Sequence, residues 1–186
     1  MNRTKYVGNL IVANPCNPDN YYAKSVYLIA EYKENQTMIG ICINRILENN
    51  DLASVSQNLG IDYYRITDVY NGGISASNKI NVVHSLDWTG PGTIRLNKEI
   101  GVTSDISVLM ALAEDEGPDY FKACAGYGIW QNGVFDLQMG IQKIQNEPYK
   151  WEMIPATIEN VFCIDTDLLW EHCLETSIVT KVKDLF

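Results

Sequence analysis

The side chains able to do chemistry in this sequence are few and far apart. His84 stands at the polar end of the apolar run Lys79–His84, and an imidazole changes charge near neutral pH, so it could act as a general base. A lone histidine at a strand end is more often a hydrogen-bonded structural residue. Asn44 and Arg45 end the apolar run Met38–Ile43 abruptly. Arginine's planar fork of donors suits a carboxylate or phosphate, although a strand-ending turn with a surface ion pair uses the same two residues. Tyr127 and Trp130 sit among Gly126, Gly128 and Gly133. Each ring has an apolar body and a polar tip, on a backbone that glycine frees to approach a ligand; the plainer reading is a turn whose rings plug the core. Asn44, Arg45, His84, Tyr127 and Trp130 form the candidate ligand-binding set.

Stronger catalytic arrangements do not appear. Ser85 follows His84, but neighbours on a strand point to opposite faces and make no nucleophile–base pair. Asp136, three residues past Gly133, suits the first turn of a helix, where a carboxylate steadies the helix dipole. No nucleophile elbow, paired catalytic carboxylates or metal-ligand spacing occurs. The five cysteines, Cys16, Cys42, Cys124, Cys163 and Cys173, are odd in number and include no C-x-x-C pair. Cys42 and Cys124 fall in apolar runs and read as small buried hydrophobes. His172 and Cys173 are adjacent, so a helix turns them about 100° apart, a poor geometry for one zinc ion. Asn71-Gly72-Gly73 has the spacing of neither phosphate-loop pattern. No catalytic residue, metal or cofactor is therefore expected.

Charge narrows the partners. The 186 residues carry a net charge of −9 with a sequence pI near 4.6, which repels a phosphate backbone, and no Lys/Arg run offsets it. Direct nucleic-acid binding is not expected. An acidic phosphate mimic would need a broad acidic face, and Asp115-Glu116 with Asp119 make only a thin one. No stretch reaches the roughly 18 uncharged apolar residues of a membrane helix, and the N-terminus lacks a secretion signal's apolar core, so the expected address is cytoplasmic.

The scaffold can be read from apolar periodicity. Leu10–Ala13 is a short strand closed by Asn14-Pro15, and Asp19 caps a single turn through Tyr22. Lys24–Tyr32 and Met38–Ile43, apolar on both faces, read as central strands joined by the polar loop Lys33–Gln36. A helix spans Asp51–Leu59 and stops at Gly60; Asp68–Tyr70 is a strand running into the paired glycines. Lys79–His84 and Thr93–Leu96 are further strands. Thr103 or Ser104 caps a helix whose apolar stripe is Ile106, Leu109, Met110 and Ala113, broken at Gly117-Pro118. A strand ends at Ala123–Ala125, a glycine-aromatic turn follows, and a helix begins near Gly133 with Val134, Leu137, Ile141 and Ile144 inward. Tyr149–Ile154 is a strand, and Asp165 caps a last helix through Leu174 with Leu169, Trp170, Cys173 and Leu174 inward. The sum is one α+β domain over residues 1–186.

The order of these motifs resembles the AlgH/YqgE family of bacterial proteins, which carry the label of transcriptional regulator without a settled biochemical activity. Gly8-Asn9-Leu10-Ile11-Val12-Ala13-Asn14-Pro15 matches that family's opening segment, and Asp19–Tyr22 with Ser25–Leu28 its second. Met38–Arg45 matches the strand that ends in Asn-Arg or Asn-Lys, Asn71-Gly72-Gly73 the Gly-Gly turn, and Val82-Val83-His84 the strand ending in histidine. Gly126-Tyr127, Trp130 and Gly133 match the glycine-aromatic segment, while Trp151, Pro155, Phe162 and Trp170 fall at its C-terminal spacing. Together these cover about Gly8 to Trp170. Two family prolines are replaced by Ile46 and Ile74, and the polar segment after Gly133 becomes Val134-Phe135-Asp136-Leu137-Gln138-Met139. The resemblance implies a bifurcated β-sheet curled into a pseudo-barrel with helices packed outside.

The expected function is that of a non-enzymatic regulatory or adaptor protein, acting through a protein partner or a small-molecule ligand rather than by gripping DNA. Self-association into a homo-oligomer is compatible with it. The alternative is an enzyme acting on a small polar substrate with His84 as general base.

Overall fold

The computed structural model describes residues 6–16, 21–32, 37–131 and 150–183. The cap at Asp19, the loop Lys33–Gln36, the start of the strand at Tyr149, and the helix expected from Gly133, with Val134, Asp136, Leu137, Ile141 and Ile144, lie outside those residues.

One sheet of ten strands organises the described residues. In chain order these are β1 (Asn9–Ala13), β2 (Val26–Tyr32), β3 (Thr37–Cys42), β4 (Ile46–Asp51), β5 (Asp68–Asn71), β6 (Ser75–Ser85), β7 (Ile94–Arg95), β8 (Ile100–Thr103), β9 (Phe121–Gln131) and β10 (Trp151–Pro155). The helices are α1 (Leu52–Asn58), α2 (Ser107–Ala113) and α3 (Leu169–Lys183), with a π-helical turn at Glu159–Cys163. The main path runs β10-β1-β2-β3-β9-β6-β8-β7, and β5 joins β9 in parallel with β4 on its far side.

β9 is the spine, and it divides the sheet. Its first half pairs with β5 through Ala123, Cys124 and Ala125, while its second half pairs with β3 from Gly128 to Gln131. β6 runs along the opposite edge, from His84 beside Phe121 to Ser75 beside Tyr127, with a register shift between. The division falls at Gly126, whose φ of +74° is a left-handed conformation that costs a side-chain-bearing residue about 1–2 kcal/mol. Gly72-Gly73 wedges in here: the Gly72 N–H donates to the Ala125 carbonyl at 2.8 Å, and the Cys42 N–H donates to the Gly72 carbonyl at 2.9 Å. A Cβ on Gly73 would collide with the Tyr127 carbonyl, and one on Gly126 with the Gly73 carbonyl. The glycine-aromatic stretch is therefore not a turn after a strand ending at Ala125. It continues the strand, and its glycines let two other strands meet it.

Alternation along the strands sends side chains to different cores. Leu10, Val12, Val26, Leu28, Ile41, Val83 and Cys124 face an inner core capped by Leu169 and Cys173 of α3. Ile11, Tyr27, Ile29, Met38 and Trp130 face a second cluster with Trp151. On the arm built from β5, β6 and the first half of β9, Val69, Val82 and Ala123 pack under Leu52 of α1 and Val108, Leu109 and Leu112 of α2. The sheet is thus covered on both sides, as the doubly apolar β2 and β3 require.

Local differences from the expected elements have physical causes. β4 is polar and mostly exposed, so it carries no apolar period. β6 begins at Ser75, four residues earlier than expected, because its first part lies on the outside of the sheet. β8, Ile100-Gly101-Val102-Thr103, is wholly buried, a pattern that gives no alternation of exposure. α2 starts at Ser107 rather than after Thr103 or Ser104; its N-cap position is Ile106, which has no side-chain cap bond, and the preceding turn is closed by Asp105 Oδ1 accepting from the Ser107 N–H at 2.9 Å. Its buried stripe is Val108, Leu109 and Leu112, which leaves Ile106 and Met110 exposed. α1 follows its signals, with the Asp51 carboxylate accepting from the Ser54 N–H and Gly60 at φ +73° after its end. α3 runs past Leu174 to Lys183, and Trp170 Nε1 ties it to the Ala13 carbonyl at 2.8 Å.

Candidate functional site

Three of the five candidate residues gather near the turn at 21–24. Asn44 accepts from the Val26 N–H at 2.8 Å and donates to the Lys24 carbonyl at 2.8 Å, so its amide joins the start of β2 to the turn that precedes it. Arg45 donates from Nη2 to the carbonyls of Tyr21 and Ala23, with its guanidinium 5.4 Å from the centre of the Tyr21 ring. From there rings continue inward: Tyr22 lies 4.9 Å from Tyr21, and Trp130 lies 5.9 Å from Tyr22. Trp130 itself is 4% exposed and packs edge-on against Tyr27 at 5.0 Å and Trp151 at 5.9 Å. Such ring pairs each add about 0.5–1.5 kcal/mol beyond burial.

Tyr127 and His84 stand apart from that group. Tyr127 pairs with Ser75 and half-buries its ring against the inner core. His84 is paired with Phe121, near the opposite end of β9 from Trp130. Its ring is fully buried, with Nδ1 2.9 Å from the Ser85 carbonyl, which makes Nδ1 the protonated nitrogen. Nε2 has no hydrogen-bond partner among the described residues, and Trp88 stands edge-on at 5.3 Å. Burial holds the imidazole below its usual range, so it is neutral at pH 7. The five residues do not converge on one pocket.

Lys122 is the polar residue that pattern reading passed over. It sits on β9 with its side chain in the inner core, 6% exposed, donating to the Ile43 carbonyl at 2.9 Å and lying 4.6 Å from the Tyr70 ring centre. No carboxylate pairs with it among the described residues, and desolvation pushes its pKa down. A lysine inside Phe121-Lys122-Ala123-Cys124-Ala125 was the available signal. Burial pushes the Cys42, Cys124 and Cys173 thiols up, Cys173 to about 12, so these sulfurs are poor nucleophiles. Among the described residues no group of three His, Cys, Asp or Glu side chains could hold a metal ion. No helix among them is long and apolar enough to cross a membrane.

A well-formed concavity lies elsewhere, on the outer face of the β5–β6–β9 arm. It is a cleft of about 440 Å³ between α1, β6 and α2. Val55 and Leu59 form one wall, Ile80 and Val82 the floor, and Ile106 and Leu109 the other wall. Lys79, Asn58, Asn78, Ser104 and Asp105 ring its mouth. Its three segments are separated by about 20 residues or more in sequence, so only the folded sheet reveals it.

Comparison with known proteins places this architecture. The AlgH protein from Pseudomonas aeruginosa, in its solution structure, superposes with a TM-score of 0.67 at 24% identity, over 87% of this chain and 84% of that one. A crystal structure of a protein from Corynebacterium diphtheriae gives 0.66 at 19% identity, over 91% and 86%. These likenesses establish the fold: α+β, with a strongly curled sheet and helices packed outside. In sequence, a UPF0301 protein of Methylococcus capsulatus is 27% identical over 170 residues, 90% of this chain and 89% of its own. A UPF0301 protein of Gluconobacter oxydans is 26% identical over 170 residues, 90% and 88%. The profile of the AlgH-like family matches residues 10–180, and the chain belongs to that family.

Proposed function

We propose that this chain is a non-enzymatic regulatory or adaptor protein that binds a small molecule in the cleft between α1, β6 and α2 and signals through a protein partner. The cleft carries this reading. Its volume of about 440 Å³ falls within the roughly 300–1,000 Å³ of small-molecule sites, and it joins apolar walls to a few polar groups at the mouth. The groups best suited to chemistry lie outside it, and Asn44, Arg45 and Lys122 are spent on backbone carbonyls and amides. A transcriptional effect would then pass through a protein, because a net charge of −9 opposes direct contact with DNA.

Native mass spectrometry of the gently purified full chain tests this reading. Excess mass that disappears on unfolding is expected, and its absence at every protein preparation tried would count against a small-molecule binder. Specific DNA binding with a salt slope of several phosphate contacts would overturn the partner-mediated reading. The alternative of an enzyme with His84 as general base draws on the unpartnered Nε2, but needs a fully buried ring to meet substrate. Any turnover that survives His84→Gln removes that alternative.

A further inference from the structure

The mouth of the cleft is chemically lopsided. Asp105, its acidic group, is already engaged: its carboxylate accepts from the Ser107 N–H at 2.9 Å, and those Ser107 bonds hold its pKa down. Lys79, its basic group, is exposed on β6 and makes no hydrogen bond or ion pair among the described residues. Asn58, Asn78 and Ser104 likewise carry side-chain donors with no partner among the described residues. Lys79 is therefore the charged group at the mouth with no bond of its own among the described residues, and Asn58, Asn78 and Ser104, each both donor and acceptor, can donate beside it to an anion, although Asp105 keeps its negative charge. Behind them lies an apolar slot whose lips, Leu59 and Ile106, are 51% and 47% exposed. Two large apolar side chains left half in water on either side of one slot would be covered by an alkyl chain, at roughly 25 cal/mol per Å² buried.

We infer that the cleft binds an amphiphile with an anionic head, a medium-chain carboxylate, with the head at Lys79 and the chain between α1 and α2. The inference rests on the cleft being the ligand site proposed above, and adds the class of ligand. The size agrees: at the ~30 Å³ that one water occupies, a cleft of about 440 Å³ holds ~15 heavy atoms. A twelve-carbon carboxylate has about that number. Burial of the chain supplies affinity without distinguishing one head group from another, so head-group selectivity is the signature of Lys79.

The test uses the full chain and three probes of equal chain length, dodecanoate and dodecyltrimethylammonium below their micelle concentrations and dodecanol below its solubility limit. Titration is followed by calorimetry and by amide chemical shifts. Dodecanoate should bind about tenfold more tightly than the other two, with shifts concentrated on α1, β6 and α2. Lys79→Gln should bring the three affinities within about twofold of one another. Ile106→Trp should block all three, and Leu59→Trp, from the opposite lip, repeats that test should the first variant melt early. Equal affinities for the three probes, or a head-group preference unchanged in Lys79→Gln, overturn the inference while leaving a ligand cleft standing. Binding that survives both tryptophan variants places the amphiphile elsewhere and overturns it too. A retained native ligand that is cationic or neutral defeats the anionic assignment alone. The absence of both a retained ligand and any probe binding defeats the cleft reading with it.

Discussion

Two regions of the same sheet treat their polar and glycine residues in opposite ways. At the seam where β3 and β5 meet β9, almost every distinctive residue is consumed in holding strands together. Gly72, Gly73 and Gly126 let three backbones cross, and Asn44 and Lys122 satisfy the carbonyls of Lys24 and Ile43. At the cleft between α1, β6 and α2, Lys79, Asn58, Asn78 and Ser104 face open space with no partner among the described residues. A buried polar group without a partner costs about 1–3 kcal/mol, so the seam must bond its polar groups internally, whereas water serves those at the cleft mouth. Motif-like residues at this seam are thus bonded within the fold, whereas the unbonded polar groups of the cleft lie where no motif is visible. If so, damage at the seam should appear in stability and damage at the cleft in binding.

The largest effect expected is from Gly126→Ala. The substituted residue must hold φ near +74° while its Cβ meets the Gly73 carbonyl, backbone that has no flexible end to yield. A loss of about 3 kcal/mol or more is expected, read as a fall in the urea midpoint or a failure to accumulate folded protein. Gly60→Ala is the control on the cleft side of the molecule. Gly60 has φ +73° as well, but nothing lies within 4 Å of its would-be Cβ, so only the backbone term of about 1 kcal/mol applies. Equal losses at the two glycines would show that crossing distance does not govern the seam.

Asn44→Ala comes next. It removes two hydrogen bonds of 2.8 Å and leaves the Val26 N–H and Lys24 carbonyl without that partner, a loss of about 2 kcal/mol. Dodecanoate affinity should be unchanged in the folded fraction. A variant that keeps the wild-type urea midpoint but loses ligand would turn Asn44 from a brace into a binding residue and erase the contrast.

Lys122→Met sharpens the comparison through pH. Folding lowers the Lys122 pKa below its ordinary 10.5, so between the two values the unfolded chain holds more protons and stability rises with pH. The neighbouring Cys42, Cys124, Cys173 and Tyr70 are shifted upward, so their own titrations lower stability in alkali. Subtracting the Lys122→Met curve isolates the lysine: wild-type stability relative to the variant should climb as pH rises toward 10.5 and then level off. Urea midpoints for both proteins across that range measure it, and parallel curves would mean that Lys122 keeps its charge at no cost in the fold.

The seam's strands were largely legible because β1, β2 and β3 are short apolar runs closed by Asn14-Pro15 or Asn44-Arg45, and α1 has both a carboxylate cap and a glycine stop. The resemblance to a curled, bifurcated sheet was legible too, since it rests on motif order. What failed was local geometry that only pairing decides. The run from Gly126 to Trp130 has turn-like composition yet lies within β9, because the strands on either side need glycine there. The stripe through Ile106 and Met110 fits helical spacing as well as Val108 and Leu112 do, and packing on β6 and β9 selects the second. The cleft was not legible at all. Its walls are ordinary apolar residues from three segments, and Lys79 in sequence is one lysine of a strand.

Lys79→Ala should therefore be the quietest change in stability and the most informative in binding. The side chain is exposed and bonds to nothing among the described residues, so its loss should move the urea midpoint by less than about 0.5 kcal/mol. The same substitution should remove most of the preference for dodecanoate over dodecanol, because no other cation among the described residues lines the cleft. A measurable loss of stability with head-group preference intact would assign Lys79 to the scaffold, and the cleft would then resemble the seam rather than oppose it.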